Sequence, residues 1–247
     1  MPDSNLTYRP VFLSANWRRL VLLNYRINPD ALLPYLPAHT ELDIWNDTCY
    51  ASLVGFMFQN TRVRGFRIPG HVNFEEINLR FYVRRLDPEL GWKRGVVFVR
   101  EIVPKPAIAW VANTLYRERY VARRMAHRWE ESQELLEVEY SWLEAGRRQS
   151  FGAQADPKPL ELKPGSEAEF ITEHYWGYSR RDAHHSTEYQ VEHPRWRVHP
   201  IRAWHCDVDF GAVYGAAFAD LSAAEPLSVF LAEGSGVVVR GGRMVNG

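Results

Sequence analysis

From Asn73 to Arg84 the chain alternates with a period of two, and this constrains its fold more than any other feature. Glu76, Asn78, Arg80 and Tyr82 fall on one face of such a strand. Ile77, Leu79, Phe81 and Val83 fall on the other. The strand-like segment Gly95–Val103 is apolar on both sides until Arg100 and Glu101, and Tyr50–Phe58 is apolar on both sides throughout. Strands of that kind are buried on both faces. Charged residues carried by such strands enter at the margin of a core, where an unpaired charge is costly. Glu76, Arg80, Arg100 and Glu101 therefore form either an ion-pair network that fixes the fold or the polar lining of a pocket.

The remaining segments fit a strand-rich chain. Leu20–Ile27 and Glu41–Trp45 read as strands, and Leu135–Leu143 with Arg147–Gln154 as a hairpin around Glu144-Ala145-Gly146. Asn28-Pro29 opens a short helix, with Asn as cap and Pro at the first helical position. Pro106 starts a second helix over Ala107–Tyr116. Ser166–Glu169 is a capping box leading a third through Tyr175. Glu188–Pro200, Trp204–Phe218 and Val237–Arg240 read as strands, while Pro226–Glu233 fits helix or strand. Asp156–Gly165 is a Pro-rich connector between short strands that need partners, so residues 1–247 are expected to form one domain. About ten strands with three or four short helices imply an α+β, mainly antiparallel β fold with a barrel-like sheet.

Several function classes are disfavoured. Formal net charge is zero over 247 residues, which leaves no basic footprint for nucleic acid. The basic run Arg117–Arg128 is broken by Glu118, Tyr120 and Met125 and reads as solvated surface. No apolar run is long enough to span a membrane, and Met1–Asn5 is polar, so a cytoplasmic location is expected. Two distant cysteines, Cys49 and Cys206, make no disulfide framework. No nucleotide or nucleophile-elbow motif is present and no cofactor is expected. His205, Asp207 and Asp209 could share a strand face, but solvated residues are the simpler reading and no metal site is assigned.

Only four lysines occur: Lys93, Lys105, Lys158 and Lys163. Lys93, Lys158 and Lys163 lie in turns or the connector and read as surface residues. Lys105 opens a helix four residues beyond Glu101. It is either a surface residue in a proline turn or, with its ammonium disfavoured by the helix start and burial, a nucleophile toward carbonyls. His174-Tyr175-Trp176-Gly177-Tyr178, echoed by His193–Arg197, combines flat rings with polar tips and suits a ligand wall.

Five ordered segments carry a family resemblance: Trp17–Leu20 with Asn24-Tyr25, Ser52–Phe56, Asn73–Arg80, Arg100–Pro104 and Glu173–Tyr178. Together they resemble the bacterial YqjF-like family of unknown function, over roughly residues 10–240. That family is related in fold to acetoacetate decarboxylase. The resemblance implies an acetoacetate decarboxylase-like, partly open barrel or cone with a few peripheral helices and an internal pocket. Acetoacetate decarboxylases carry an Arg-Glu strand leading to a Pro-Lys-Lys segment, whose first lysine forms a Schiff base activated by the second. Arg100-Glu101 and Pro104-Lys105 resemble those steps, and Phe74-Glu75-Glu76 resembles a further Tyr-x-Glu strand. Here the spacing is about two residues shorter and Pro106 replaces the second lysine, so the decarboxylase reaction does not transfer with the fold.

The resulting expectation is a small-molecule pocket protein, an enzyme on a carboxylate or carbonyl metabolite or else a non-catalytic binder or sensor. Lys105, Glu101 and Glu76 are the candidate catalytic residues. Arg80, Arg100, His174, Tyr175 and Trp176 are the candidate substrate-binding residues. A small ligand is the expected partner, with a second copy of the chain a candidate cover for apolar strands.

Overall fold

A computed structural model describes residues 9–116 and 118–245, and side chains for all of these but Leu115 and Tyr116. Met1–Asn5 and Arg117 lie outside the described residues. In chain order the first strands are β1 (Val11–Arg26), β2 (Glu41–Leu42), β3 (Tyr50–Val63), β4 (Phe74–Asp87) and β5 (Gly91–Val103). Helix α1 (Pro106–Tyr116) follows, then β6 (Tyr120–Ala122), β7 (Met125–Glu131), β8 (Leu136–Glu144) and β9 (Arg147–Ala155). Helix α2 (Glu167–Thr172) precedes β10 (Trp176–Arg180), β11 (Ser186–Glu192), β12 (Val198–His199) and β13 (Ile201–Asp207). The chain continues through α3 (Phe210–Tyr214), β14 (Ser228–Ala232), β15 (Gly236–Arg240) and β16 (Arg243–Val245).

Strand pairing runs round as a ring: β1 to β3, β4, β5, β10, β11, β15 and back to β1. Most joins are antiparallel and long. The ring is thinnest where β5 meets β10 in parallel and where β11 meets β15, each over two residue pairs. The fold is thus the partly open barrel with few helices that the sequence implied. A second, antiparallel sheet in the order β13-β9-β8-β7 covers one outer side of the ring.

Alternation sorts the apolar residues into two cores. Leu20, Leu22, Val54, Phe56, Phe58, Phe74, Tyr82 and Val96 pack inside the ring. Val21, Leu23, Leu53, Ile77, Leu79, Phe81, Val97 and Val99 face outward onto Leu136, Val138, Tyr140 and Phe151 of the second sheet. This is why Tyr50–Phe58 and Gly95–Val103 are apolar on both sides. Gly55 permits the close approach: a Cβ there would lie 2.7 Å from the Phe151 ring and 2.8 Å from Tyr140.

Some local expectations differ from the structure. The segment Trp204–Phe218 is not one strand. It leaves β13 at Asp207, and Asp209 then caps α3 by accepting from the Ala212 amide at 2.9 Å. Ser166 caps α2 as its capping box implied, accepting from the Glu169 amide at 3.2 Å, but the helix ends at Thr172 rather than Tyr175. The helix expected after Asn28 is a pair of short 3-10 turns, at Pro29–Ala31 and Leu33–Tyr35.

Candidate functional site

The ring encloses a cavity of about 290 Å³. Trp17, Phe56, Phe58, Phe74, Val96 and Phe98 give it apolar walls. Ile68 and Val111, 46% and 37% exposed, mark its opening between α1 and the segment after β3. Of the ionisable groups on its wall, Glu76 and Glu101 are 3% and 1% exposed, and Glu118 and Tyr120 are half-buried.

Glu76, Asn78 and Arg80 reach the cavity because β4 keeps its period of two, with Ile77 and Leu79 directed into the outer core. Glu101 reaches it by a different device. The β4–β5 register pairs Arg80 with Phe98 but Leu79 with Arg100, so β5 carries one extra residue there. Such a bulge reverses the parity of the strand beyond it and re-aims its side chains. Val96 and Phe98 face inward before the bulge, and Glu101 and Val103 after it. Glu101 stands opposite Asn78 on β4 and Tyr120 on β6. Arg100 is turned outward and donates to the Val213 carbonyl of α3. The expected cluster of four charged residues is therefore three, with Arg100 on the other side of the sheet.

Two cavity residues come from a segment whose sequence reads as solvated surface. Glu118 and Tyr120 line the cavity, alternating with the exposed Arg119, whose guanidinium lies 4.5 Å from the Tyr35 ring centre. In the sequence Glu118 and Tyr120 appear only as breaks in a basic run; the strand pairing with β5 is not visible there. Tyr120 donates to Glu76 Oε2 at 3.1 Å, and Asn78 Nδ2 to Glu76 Oε1 at 3.2 Å. From two strands along the ring from β5, Tyr189 of β11 donates to Glu118 Oε1 at 3.0 Å. It can do so because it crosses Gly177, where a Cβ would lie 2.1 Å from the phenol ring.

Burial dominates the protonation of this cluster. It pushes Glu76 up to about 7, with the Glu118 charge adding and the Asn78 and Tyr120 hydrogen bonds opposing. Glu118 is pushed up to about 7 by burial against the hydrogen bonds from Tyr189 and Glu101. Glu101 is raised well above the carboxylate range by burial and then by the charges of Glu118 and Glu76. Tyr120 and Tyr189 are raised far above their ordinary value, first by burial and then by the carboxyl groups, and stay neutral. His174 is pushed down to about 4 by burial and is neutral. Its Nε2 faces Asp43 Oδ2 at 3.4 Å, and Asp43 also accepts from Arg94 Nε at 2.6 Å. Nε2 is then the protonated nitrogen, which leaves Nδ1 with a free lone pair.

Six buried polar atoms of cavity residues have no hydrogen-bond partner: Trp17 Nε1, Thr61 Oγ1, Asn78 Oδ1, Arg80 Nε, Glu101 Oε2 and His174 Nδ1. Native interiors pair almost all such atoms, so a concentration of exceptions in one cavity calls for a ligand or solvent to satisfy them.

The remaining candidates are placed elsewhere. Trp176 and His174 line the cavity, as do His193 and Trp196, which stack at 4.1 Å. Tyr175 does not; its ring lies tilted against His193, centres 4.8 Å apart, and it donates to Glu173. Lys105 is not among the lining residues. It precedes α1, whose Ala107, Ile108, Val111 and Ala112 are. Lys93 is not a surface residue. It is 5% exposed, paired with Asp87 at 2.7 Å and Glu188 at 3.3 Å, and lies 4.2 Å from the centre of the Trp176 ring. Among the described residues no group of His, Cys, Asp or Glu has an arrangement that could hold a metal. No described helix is long and apolar enough to cross a membrane.

The model of the DUF2071 family, described as an uncharacterized conserved protein, matches residues 14–236. No curated protein is significantly similar in sequence. Among solved structures, an acetoacetate decarboxylase-like enzyme from Sphingomonas wittichii RW1 superposes with a TM-score of 0.65 at 13% identity, over 95% of this chain and 93% of that one. The enduracididine biosynthesis enzyme MppR complexed with pyruvate gives 0.63 at 14% identity, over 98% and 93%. Acetoacetate decarboxylase from Legionella pneumophila gives 0.61 at 12% identity, over 99% and 92%. At these identities the likeness is one of fold.

Proposed function

The chain belongs to the DUF2071 family of uncharacterized conserved proteins, and for this member we propose acid–base catalysis on a small, mostly apolar molecule held inside the barrel. One observation carries the reading: glutamates from β4, β5 and the segment before β6 meet two tyrosines on the wall of one apolar cavity. Carboxyl groups poised between protonated and ionised near neutral pH are suited to exchange protons with a substrate. Glu101, held protonated, donates to a substrate oxygen. Glu76, ionised, takes a proton from the adjacent carbon, and Tyr120 bridges the two. For a carbonyl compound this gives an enol with atoms and charge balanced, and the reverse transfers give an isomerised or exchanged product. Arg80 offers its unpartnered Nε to orient the substrate. Schiff-base chemistry at Lys105 is no part of this reading, because that side chain does not line the cavity.

A non-catalytic ligand binder or sensor is the second reading. The unpaired polar atoms favour it as well, since a resident ligand satisfies them without turnover.

The test is a panel of apolar ketones and amino ketones incubated with the protein in D2O, with α-proton exchange followed by NMR. Exchange that disappears in Glu101→Gln and persists in Lys105→Ala supports acid–base catalysis. Exchange lost in Lys105→Ala, together with an adduct trapped by borohydride, overturns it in favour of an imine mechanism. Ligand binding without exchange for any compound leaves the binder reading.

A further inference from the structure

The charge balance of the cavity restricts its occupant further, on the premise that it holds a small molecule. Its described lining carries Glu76, Glu101 and Glu118 but one arginine, Arg80, and no lysine. Arg80 is also partly engaged, donating from Nη2 to the Ile171 carbonyl at 3.3 Å. Of the other groups facing the cluster, Tyr120, Tyr189 and His174 are neutral and burial lowers His193, with His71 a further lining residue. The exposed Arg119 beside Glu118 lowers that carboxyl without offsetting its burial. Glu101 is 1% exposed, and its Oε2, on the cavity wall, has no partner.

Buried carboxylates are stable when a cation compensates them and otherwise hold their protons. In the empty cavity the second condition prevails at Glu101, while Glu76 and Glu118, at about 7, are divided between the two forms. An anionic ligand adds like charge and pushes the carboxyls further from ionisation. A neutral ligand changes little. A cation lets them ionise and converts the neutral contacts into charge-assisted hydrogen bonds. The lining also includes the rings of Trp176, Tyr120 and Tyr189, a residue type that suits an ammonium, and Trp176 already carries that of Lys93 at 4.2 Å. The walls from Trp17 to Phe98 suit an apolar body, with Trp17 Nε1 an unpartnered polar atom among them.

We propose that the cavity takes an apolar organic cation, an amine on a hydrocarbon or aryl body, with its ammonium among Glu76, Glu101 and Glu118. The Arg80 guanidinium then stands beside the cluster as a fixed partial counter-charge, not as a carboxylate clamp.

The experiment is titration calorimetry at neutral pH with three probes of one shape: 4-phenylbutylamine, 4-phenylbutanol and 4-phenylbutyrate. Each is run in two buffers of different ionisation heat, which counts protons released or taken up. The amine binds at least about tenfold tighter than the alcohol and releases protons, while the carboxylate binds weakest. Glu101→Gln and Glu118→Gln each reduce the amine-to-alcohol ratio, with the circular dichroism of both variants checked against the parent chain. Alcohol or carboxylate binding as tightly as the amine, or amine binding without proton release, overturns the proposal and leaves the small-molecule cavity intact. Binding by none of the three overturns the cavity reading with it.

Discussion

Tyr189 reaches Glu118 at 3.0 Å only by lying across Gly177, the residue it faces on the neighbouring strand. A Cβ on Gly177 would stand 2.1 Å from the ring and 2.5 Å from the phenol oxygen. Gly177→Ala must therefore displace the ring, at a cost of about 1–3 kcal/mol in urea unfolding. Tyr189→Phe keeps the ring and removes the bond to Glu118, for about 0.5–1.5 kcal/mol. In Gly177→Ala combined with Tyr189→Ala the clash has no partner, so the double variant loses less than the sum of its parts. Strict additivity would mean that the ring does not cross the glycine.

The carboxyl cluster predicts a pH dependence of stability. Glu118 rises from its ordinary 4.5 to about 7 on folding. Between those values the folded chain holds a proton that the unfolded chain has released, so the contribution to stability falls as pH rises through the window and is flat above it. His174 acts oppositely. Its value drops from 6.5 to about 4, so the unfolded chain binds the proton and stability falls as pH is lowered through that window. Subtracting Glu118→Gln from the parent chain cancels the histidine. The difference curve should fall between pH 4.5 and about 7, with a flat difference refuting the shift.

The bulge in β5 predicts opposite phenotypes for consecutive residues. Arg100 holds α3 through the Val213 carbonyl and does not touch the cavity. Arg100→Ala lowers stability by about 1.5–3 kcal/mol and leaves ligand affinity unchanged. Glu101 is protonated in the fold, and Gln mimics that form. Glu101→Gln therefore preserves stability and changes binding or turnover. Loss of binding in Arg100→Ala at full stability would place both side chains on one face.

How much of this was legible follows from the range of each interaction. The inward face of β4 could be read directly, because alternation is a local property of Glu76, Asn78 and Arg80 and their neighbours. The parity change before Glu101 could not, because a bulge is defined by the register against β4 and nothing in Val96–Val103 marks it. Glu118 and Tyr120 sat among arginines and read as breaks in a solvated run, and only the pairing of β6 with β5 brings this segment to the cavity. Lys93 was misplaced for the same reason. It follows a turn in sequence, yet one of its partners, Glu188, lies 95 residues away on β11. Asp209 could have been recognised as a helix cap, but the aromatic alternation around Trp204 favoured a strand.

That misplaced lysine supports the last prediction. Lys93, Arg85 and Arg243 converge on Asp87 and Glu188, and Tyr178 also donates to Glu188 at 3.1 Å. Three bases thus share two acids, and Glu188, 1% exposed, contacts every base. Glu188→Gln leaves three buried or half-buried cations against Asp87 alone, which should cost about 3–5 kcal/mol. Lys93→Met leaves two arginines with two carboxylates, keeps an unbranched chain against the Trp176 ring, and should cost less. The charge excess created by the first substitution is relieved by the second, so the double variant recovers part of the loss. Urea unfolding of all three variants measures the order. If Lys93→Met proves the most damaging, the ammonium over Trp176 holds this side of the barrel together, and the carboxylate of Glu188 is secondary to it.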